Sequence, residues 1–516
     1  MMRNWITFCF FSIFLLNLCM GGSYLFYLPF SSKSNKLALM PMVKELAKRG
    51  HSVTLVSPNQ EKKTIPGVIE IINDFPDELF NSVSEAVIQE NSSGSLSLPF
   101  FEVLEATIEA NRAALSHEDF QKLLLDEKVK IDVVVTVPVF GNEAGFFVSN
   151  KKNASLVIFS PVPYIFPNMA SAVGNPVNPS YMPLAVFPYK QSMNLKERFI
   201  NTMATTILTL GRTYYILPKV EKMIGQVFPN EGPVNLDELA LSASLMINLG
   251  SPFMGDGLRP MLPNTIQAGL MSCGPGNSLQ GELKTWVEGA EHGVIYMSFG
   301  SIIKASIMSD AKRKLFISVL SQLKQRIIWK WDKEMPDAPE NVLISSWLPQ
   351  KDILAHPNVK LFITHGGAGS IQETICFKTP VIGIPIQGDQ VANLAEAITK
   401  NLGIVINWGD VTEQNLLESI TMVLDDPSYQ ESVTKLQNLI LDRPIAPLDA
   451  AVWGLEYLLR HPHNLELRSP THDLYWFQYL LLDVISIVLL VITIVIFLGK
   501  GLFRLLCGPS NKLKKE

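Results

Sequence analysis

The sequence FITHGGAGSIQE, Phe362 to Glu373, has the pattern of a buried strand that passes through a glycine-rich turn into a helix. Backbone N–H groups at such a helix start point outward beside the positive end of the helix dipole, which suits a phosphate or diphosphate. The glycines let the backbone approach a ligand closely, and His365 can donate a hydrogen bond to a phosphate oxygen. Gln372 stands where a GxGxxG motif has its third glycine, which disfavours a nicotinamide-dependent dehydrogenase. The stretch therefore predicts a parallel α/β domain that binds a phosphorylated ligand.

Strands and helices alternate on both sides of a Gly- and Pro-rich segment that begins at Gly257. Before it, VVVTVPVF (Val133 to Phe140) and SLVIFSP (Ser155 to Pro161) are apolar on both faces, as buried parallel strands are. After it, apolar runs predict further strands, which begin at Val294, Val342, Lys360, Pro380 and Gly403. The pattern predicts two doubly wound α/β domains that face each other across a cleft.

Apolar segments near both ends of the chain predict its topology. The run from Trp5 to Leu18 follows Arg3 and precedes small residues, which is typical of a cleaved secretory signal peptide. The run from Phe477 to Gly499 is long enough to span a bilayer of roughly 30 Å. Five basic residues and one acidic residue follow it, so the positive-inside rule places the tail in the cytoplasm. The ending KLKKE resembles a dilysine retrieval signal, which predicts a single-pass type I protein of the endoplasmic reticulum membrane with a lumenal body; the basic tail equally fits a stop-transfer flank.

Length and composition agree with a large membrane-attached enzyme or binding protein. The 516 residues are 47% hydrophobic and 18% charged, which allows two substantial cores. The net charge of -5 disfavours a nucleic-acid partner. We divide the chain into a signal peptide (1–22), an N-terminal domain (23–256), a linker (257–283), a C-terminal domain (284–440), a helical return and membrane-proximal segment (441–476), a transmembrane helix (477–499) and a basic tail (500–516).

Cysteines and glycosylation sequons in the predicted lumenal part are few. Cys273 and Cys376 are the only cysteines between the signal peptide and the tail, and two thiols predict neither a disulfide framework nor a metal site. The sequons at Asn91 and Asn153 are expected to carry glycans if they are exposed in the lumen.

The block from Trp347 to Gln390 resembles the signature of the UDP-glycosyltransferases, which are membrane-anchored and move a sugar from a UDP-sugar to small lipophilic acceptors. The stretches LAKRGHSVTLVSP, VNPSYMP, RPMLPN and YMSFGS extend the resemblance over nearly the whole chain, and NPSYMP resembles the invertebrate branch. The resemblance implies two Rossmann-like domains of the GT-B type, with the acceptor on the N-terminal domain and the donor on the C-terminal domain. It implies transfer with inversion at the anomeric carbon, without a cofactor or a metal.

The implied partners are the UDP-sugar, a small lipophilic acceptor and the membrane, with no nucleic acid. The invertebrate resemblance favours glucose over glucuronate as the transferred sugar. Whether the protein forms a homo- or hetero-oligomer stays open.

The resemblance assigns donor-binding roles residue by residue. Trp347 and Gln350 match positions that contact the uracil, and Glu373 matches the carboxylate that accepts hydrogen bonds from the ribose hydroxyls. The positions at the diphosphate are matched by Ser301, His365, Gly367 and Ser370. The pair that binds the sugar hydroxyls is matched by Asp389 and Gln390. Taken without the resemblance, Trp347 equally fits a core aromatic residue, and Asp389 equally fits a helix N-cap.

The proton acceptor of the family is missing from its expected position. The resemblance places that base at Asn35, in the loop LPFSSKSNKLALM, and its orienting aspartate at Val137. Neither residue can do the task, and loss of a general base typically costs about 10²–10⁴ in rate. Three interpretations stay open. The base lies elsewhere, with Glu143 or Lys36 as candidates; the acceptor needs no base; or the chain is a non-catalytic relative that binds UDP-sugar and a lipophile or serves as a partner subunit.

Overall fold

The structure is a computed structural model of the chain. It describes residues 21–61, 63–73, 100–139, 141–255, 258–300, 308–386 and 388–507. The described residues up to Leu467 belong to one compact unit, and those from Arg468 onward belong to a second.

Within the described residues, the first sheet contains seven parallel strands. They are β1 (Ser23–Tyr27), β2 (Ser52–Ser57), β3 (Val68–Ile72), β4 (Val133–Thr136), β5 (Ser155–Ser160), β6 (Ala243–Asn248) and β7 (Thr265–Gln267). Their order in the sheet is β3-β2-β1-β4-β5-β6-β7. Strand β4 ends at Thr136, earlier than the predicted Phe140, because Pro138 has no N–H to donate to a neighbouring strand. Phe140 itself lies outside the described residues.

Helices cover both faces of this sheet. They are α1 (Lys33–Lys48), α2 (Phe100–Ser116), α3 (Glu118–Leu125), α4 (Ala144–Lys151), α5 (Pro167–Ala172), α6 (Leu195–Gly211), α7 (Leu217–Val227) and α8 (Leu236–Ala240), with a π-helical turn (Arg212–Ile216) between α6 and α7. Helix α1 shows why these segments fold as they do. The Ser32 hydroxyl caps its first turn by accepting the N–H of Asn35 at 3.2 Å. Its buried apolar side chains recur at helical spacing, at Leu39, Met42, Val43 and Leu46.

In the part of the chain that the structure describes, the second sheet contains six parallel strands. They are β8 (Val294–Ser298), β9 (Arg326–Lys330), β10 (Val342–Ser345), β11 (Val359–Thr364), β12 (Val381–Gly383) and β13 (Gly403–Val405), in the order β10-β9-β8-β11-β12-β13. Its helices are α9 (Gly281–Glu288), α10 (Asp310–Leu320), α11 (Gln350–Leu354), α12 (Ala368–Cys376), α13 (Gln390–Thr399), α14 (Glu413–Asp425) and α15 (Pro427–Leu441). Strand β9 is absent from the strands predicted above, because its short apolar run lies between charged residues.

The prediction of two doubly wound α/β domains is confirmed. Strand order reverses between β1 and β4 in the first sheet, and between β8 and β11 in the second. In such sheets ligands bind outside the carboxyl ends of the strands at the point of reversal. The first reversal point is followed by the loops that lead to Asn35 and contain Val137. The second is followed by Gly300 and His365.

The chain crosses between the two sheets more than once. Strand β7 lies within the segment predicted as a linker and pairs with β6 of the first sheet. After α15 the chain returns to the first sheet as α16 (Pro447–Arg460), whose buried side chains join the core formed around β1. Arg49 at the end of α1 donates to Glu456 at 3.2 Å and to Asp449 at 3.1 Å on this returning helix.

Cys273 and Cys376 form a disulfide, contrary to the expectation that two thiols build none. The residues are 103 positions apart in sequence, but the fold brings their Cα atoms within 5.5 Å. The bond joins the segment after β7 to the last residue of α12. The Gln372 amide oxygen also accepts the N–H of Leu270 there, at 3.0 Å. Helix α12, which follows the glycine-rich turn, is therefore attached to the connecting segment by both the disulfide and this hydrogen bond.

The second unit contains the aromatic segment and the apolar C-terminal helix. Its helices are α17 (Trp476–Tyr479) and α18 (Leu482–Cys507). Residues Leu482–Leu506 have a mean hydropathy of 2.9 and meet the length and composition needed to cross a bilayer. The helix starts later than the predicted Phe477, because Leu481 adopts a left-handed conformation with φ of 55°. It also continues past Gly499 through Lys500 and Arg504.

Candidate active site

His365 lies at the reversal point of the second sheet, directly after β11. A Cβ atom added at Gly300 would lie 2.7 Å from its Cε1 atom, and one added at Gly367 would lie 2.8 Å from its Nε2 atom. Gly300 also has a φ of 89°, which L side chains rarely adopt. Glycine at these two positions therefore makes room for the imidazole. Burial first, and then the nearby charge of Lys330, lower the pKa of His365 to about 4, so the ring is neutral at pH 7.

The first turn of α12 begins at this histidine. Gly367 is the N-cap, and no side chain caps the helix. The first amide groups of an α-helix have no partner within the helix, so an uncapped start can donate to an anion. Ser370 is buried in the same turn, whereas Gly369 is exposed and has open space around it.

Two lysines approach the face of Trp347. The Nζ atom of Lys33, from the start of α1, lies 3.6 Å from the centroid of the Trp347 ring system. The Nζ atom of Lys330, at the end of β9, lies 5.7 Å from the same centroid and donates to the Gly300 carbonyl at 2.8 Å. Burial and the charge of Lys33 lower the pKa of Lys330. The side chains of Lys33 and Lys330, which come from different domains, thus lie close together near Gly300, directly after β8.

Trp347 is 47% exposed, which favours a ligand-facing aromatic over a core residue. Sequence reasoning missed both lysines that contact it. Lys33 lies two residues before the expected base position. Lys330 lies at the carboxyl end of β9, a position typical of ligand-binding residues. It could have been predicted only if β9 had been predicted as a strand.

Gln350 and Glu373 are joined by a hydrogen bond. The Gln350 amide donates to Glu373 Oε2 at 2.5 Å, and its oxygen accepts from the Tyr296 hydroxyl at 3.2 Å. The structure therefore brings together the residues matched to the uracil and ribose contacts. Burial raises the pKa of Glu373 to about 7, against the opposing effects of Gln350 and Lys351.

This raised pKa predicts a pH-dependent stability. Between its ordinary value of 4.5 and about 7, the folded protein holds a proton on Glu373 that the unfolded chain has released. The free energy of unfolding should therefore fall as pH rises through this window, by up to about 3 kcal/mol relative to Glu373→Gln. Chemical denaturation at pH 4.5, 6 and 7.5 measures the difference. The exposed Glu431→Gln variant is the control and should follow the wild type; parallel profiles for Glu373→Gln and wild type would contradict the prediction.

Asp389 occupies the N-cap position of α13 without making a capping bond. Its Oδ2 atom accepts from the Asn393 amide at 2.9 Å, and that amide also donates to the Gly366 carbonyl at 3.0 Å. Burial raises the pKa of Asp389. Asn393 thus connects Asp389 to the glycine turn, which disfavours the simple N-cap interpretation.

Gln390 has a structural bond that the sequence did not predict. It is buried, and its side-chain oxygen accepts the Ile386 N–H at 2.8 Å, which holds the loop before α13. Ser301, matched to the diphosphate, and Asn91 lie outside the described residues.

The residues at the expected base positions lie at the reversal point of the first sheet. Asn35 is partly buried in the first turn of α1, and Val137 is buried in the core directly after β4. Both lie at the edge of the sheet that faces a ligand in proteins of this fold. Neither side chain can take a proton there.

The two alternative bases are engaged in ion pairs. Lys36 is buried, and its Nζ atom contacts Glu70 at 2.8 Å and Glu61 at 3.5 Å. Glu143 is buried at 1% exposure and pairs with Arg212 at 3.3 Å. Burial raises the pKa of Glu143, against the lowering effect of Arg212. These contacts describe structural ion pairs rather than a base open to an acceptor.

Comparison with known proteins places the chain in a family. The model of the family described as UDP-glucoronosyl and UDP-glucosyl transferase matches residues 26–515. The chain is a member of this UDP-glycosyltransferase family. Its resemblance to that family, first suggested by the block from Trp347 to Gln390, is confirmed.

Two curated relatives of this UDP-glycosyltransferase come from Dactylopius coccus, in agreement with the invertebrate resemblance. The chain is 32% identical over 504 residues to UDP-glycosyltransferase UGT5, with 94% of each protein covered. It is 31% identical over 508 residues to UDP-glucosyltransferase 2, with 96% of each covered. Among solved structures, the glycotransferase of kitacinnamycin matches with a TM-score of 0.58 at 16% identity, covering 86% of this chain and 99% of that one. At this identity the structural match shows the shared GT-B fold.

Proposed function

We propose that this family member transfers a hexose, glucose in the first instance, from a UDP-sugar to a small lipophilic acceptor. The observation that carries the proposal is the convergence at the second reversal point. There the uncapped start of α12, His365 and Lys330 lie beside the bonded pair of Gln350 and Glu373. This set offers donors for a diphosphate, acceptors for ribose hydroxyls and an aromatic surface for a base. The name of the relative UDP-glucosyltransferase 2 supports glucose.

The proposed reaction is a displacement with inversion at the anomeric carbon. The acceptor atom forms a bond to that carbon while the bond to the UDP oxygen breaks, and the electron pair of the broken bond stays on the departing UDP. The helix start, His365 and Lys330 are proposed to stabilise the charge that develops on the diphosphate. A neutral His365 donates one hydrogen bond without competing for the proton of the acceptor.

Donor binding should depend on His365, Glu373 and Asp389. Each substitution by alanine removes a group proposed to contact the UDP-sugar, and hydrogen bonds to charged groups contribute about 1.5–3 kcal/mol. We expect the Kd for UDP-glucose to rise by roughly tenfold to a hundredfold in each variant. Calorimetry on the full-length protein measures it, with Glu431→Ala as a surface control. Unchanged affinity in all three variants would remove the donor-site assignment.

The acceptor is proposed to be one that needs no base. Carboxylates and ionised phenols carry no proton to remove, and amines lose theirs after the attack. The charge of Lys33, at the start of α1 and over Trp347, favours an anionic acceptor among these. A carboxylate acceptor would form a sugar ester, and only UDP would leave.

Release of UDP by membranes that contain the protein tests this function. The screen combines UDP-glucose and UDP-glucuronate with matched carboxylates, phenols and amines at one pH. Transfer to carboxylates above that to neutral phenols supports the proposal. Donor binding without transfer to any acceptor would favour the alternative, a non-catalytic relative that binds UDP-sugar and a lipophile or acts as a partner subunit.

We further propose that α18 anchors the protein in the endoplasmic reticulum membrane with its body in the lumen. The disulfide between Cys273 and Cys376 supports an oxidising compartment. Asn153 supports it too, because the residue is exposed in a left-handed turn just before β5. Its sequon residue Ser155 is buried and accepts the His463 N–H at 2.9 Å, so a glycan would have to be added before the chain folds.

This orientation predicts a glycan at Asn153. Asn153→Gln should remove one glycan's mass from the protein made in microsomes, and Asn91→Gln serves as the matched comparison. Glycosidase digestion followed by electrophoresis measures the shift. An antibody to residues 508–516 should bind only from the cytoplasmic side. A protected tail together with an unglycosylated Asn153 would reverse the proposed orientation.

A further inference from the structure

Helix α6 buries the polar side chains of Asn201 and Thr205 and exposes apolar side chains along one face. Five apolar residues are exposed at 45% or more along one face, a set we name the α6 stripe: Leu195 (76%), Phe199 (65%), Met203 (45%), Ile207 (62%) and Leu210 (51%). Their spacing of four, four, four and three residues places them on one side of a helix with 3.6 residues per turn. The buried residues of the same helix are Asn201 and Thr205. These exposed apolar and buried polar residues depart from the pattern of a surface helix in a soluble protein, although Thr202 and Thr206 are also exposed beside the stripe.

The orientation of α6 is fixed by hydrogen bonds on its buried side. The Asn201 side chain accepts the Leu184 N–H at 2.9 Å and donates to the carbonyls of Pro179 at 2.8 Å and Met182 at 2.9 Å. Rotation of the helix to bury the α6 stripe would leave these groups without partners, at a cost that a buried polar group always carries. The sequence therefore specifies an outward-facing apolar surface.

The exposed surface continues beyond α6 with aromatic and basic residues. Tyr214, in the π-helical turn, is 77% exposed. Lys196, near the start of α6, and Lys222 on α7 are also exposed. Tyrosine and lysine flanking an apolar helical face are typical of helices that lie in a membrane interface. A patch of this extent on a soluble surface marks a binding site rather than ordinary exposure.

We propose that the α6 stripe docks on the lipid bilayer in which the same chain is anchored. The proposal rests on the anchoring role given to α18 above. Only fourteen residues lie between Leu467, the last residue of the first unit, and Leu482, the start of α18. Fully extended, they span at most about 50 Å, so a bilayer surface stays permanently within reach of the first unit.

Docking through α6 would bring the N-terminal domain to the lipid surface. Acceptors that partition into the bilayer would then reach this domain without first dissolving in water. The α6 stripe thereby deepens the proposed function, because it favours acceptors with high membrane partitioning among those of similar reactivity.

Environment-sensitive labels test the contact in the full-length protein. In a Cys507→Ser background, Phe199→Cys and Ile207→Cys each carry a nitrobenzoxadiazole label on the stripe. Leu439→Cys on α15 carries it at a similarly exposed apolar site away from α6. Val491→Cys, within α18, is the positive control. The proteins are reconstituted in vesicles of phosphatidylcholine and phosphatidylserine, with and without doxyl-labelled lipid.

We expect emission from both stripe positions to shift to the blue and to be quenched by doxyl lipid several-fold more than emission from Leu439→Cys. Quenching equal to that at Leu439→Cys would overturn the proposal. A blue shift without doxyl quenching, with cross-linking between copies, would also overturn it and would identify the stripe as an oligomer interface. Absent quenching at Val491→Cys would instead refute the anchor. UDP-glucose affinity in the same vesicles verifies folding. It also tests the proposed donor site separately from the lipid contact.

Discussion

The Asn35→His variant should transfer glucose to neutral phenols at least about tenfold faster than the wild type, and Asn35→His with Val137→Asp up to about a hundredfold faster. Both positions lie at the reversal point of the first sheet, where the acceptor is expected. An imidazole with an ordinary pKa of about 6.5 supplies the missing proton acceptor near neutral pH. The carboxylate orients that ring and stabilises its charged form, so the two changes should act together.

The structure adds a condition that the sequence did not reveal. Val137 is 6% exposed within the core of the first sheet, so Val137→Asp alone places an unpaired carboxylate among apolar groups. This single variant should lose stability and gain no activity, and Asn35→His should recover part of the loss. The rate of UDP release and the thermal midpoint are measured for the wild type, the two single variants and the double variant, which together form a double-mutant cycle. Equal phenol rates in all of them, with donor affinity intact, would show that the acceptor does not meet this loop.

Replacement of the disulfide by Cys273→Ser and Cys376→Ser should destabilise the folded protein by about 2–5 kcal/mol. The chain-entropy model gives about 4.7 kcal/mol for a closed loop of roughly 100 residues, and the loop here separates residues 103 positions apart. Donor affinity should fall as well, because α12 carries Glu373 and begins at the glycine turn.

Urea denaturation and UDP-glucose calorimetry of the full-length protein measure both effects. Cys507→Ser, at the end of α18, is the matched control and should match the wild type in each assay. If the double variant unfolds at the same urea concentration as the wild type under non-reducing conditions, the disulfide contributes nothing to stability.

Local patterns made much of this fold predictable. The strand, turn and helix of FITHGGAGSIQE could be predicted from neighbouring residues alone, and the structure has β11, the turn and α12 there. Parallel strands such as β4 and β5 are buried on both faces, which produces the continuous apolar runs that sequence reasoning detects.

Features that depend on distant residues escaped sequence reasoning. The disulfide requires knowledge that the segment after β7 packs on α12. Lys330 becomes a site residue only because β9 lies beside β8. The helical pattern of α6 is plain in the sequence, but its apolar residues alone fit a buried core as well as an exposed surface. Only the bonds of Asn201 to a distant loop decide that they face outward.

The return of α16 to the first sheet has a consequence for folding during synthesis. Pro447 follows Gln267, the end of β7, by 180 residues. At a synthesis rate of about 5–20 residues per second, roughly 9–36 seconds pass between the last strand of the first domain and the helix that completes its core. During that interval the ribosome-bound N-terminal domain presents the apolar surface that Val452, Leu455 and Leu458 later cover. A chaperone could therefore bind this surface of the nascent chain only until the carboxyl-terminal segment is synthesised.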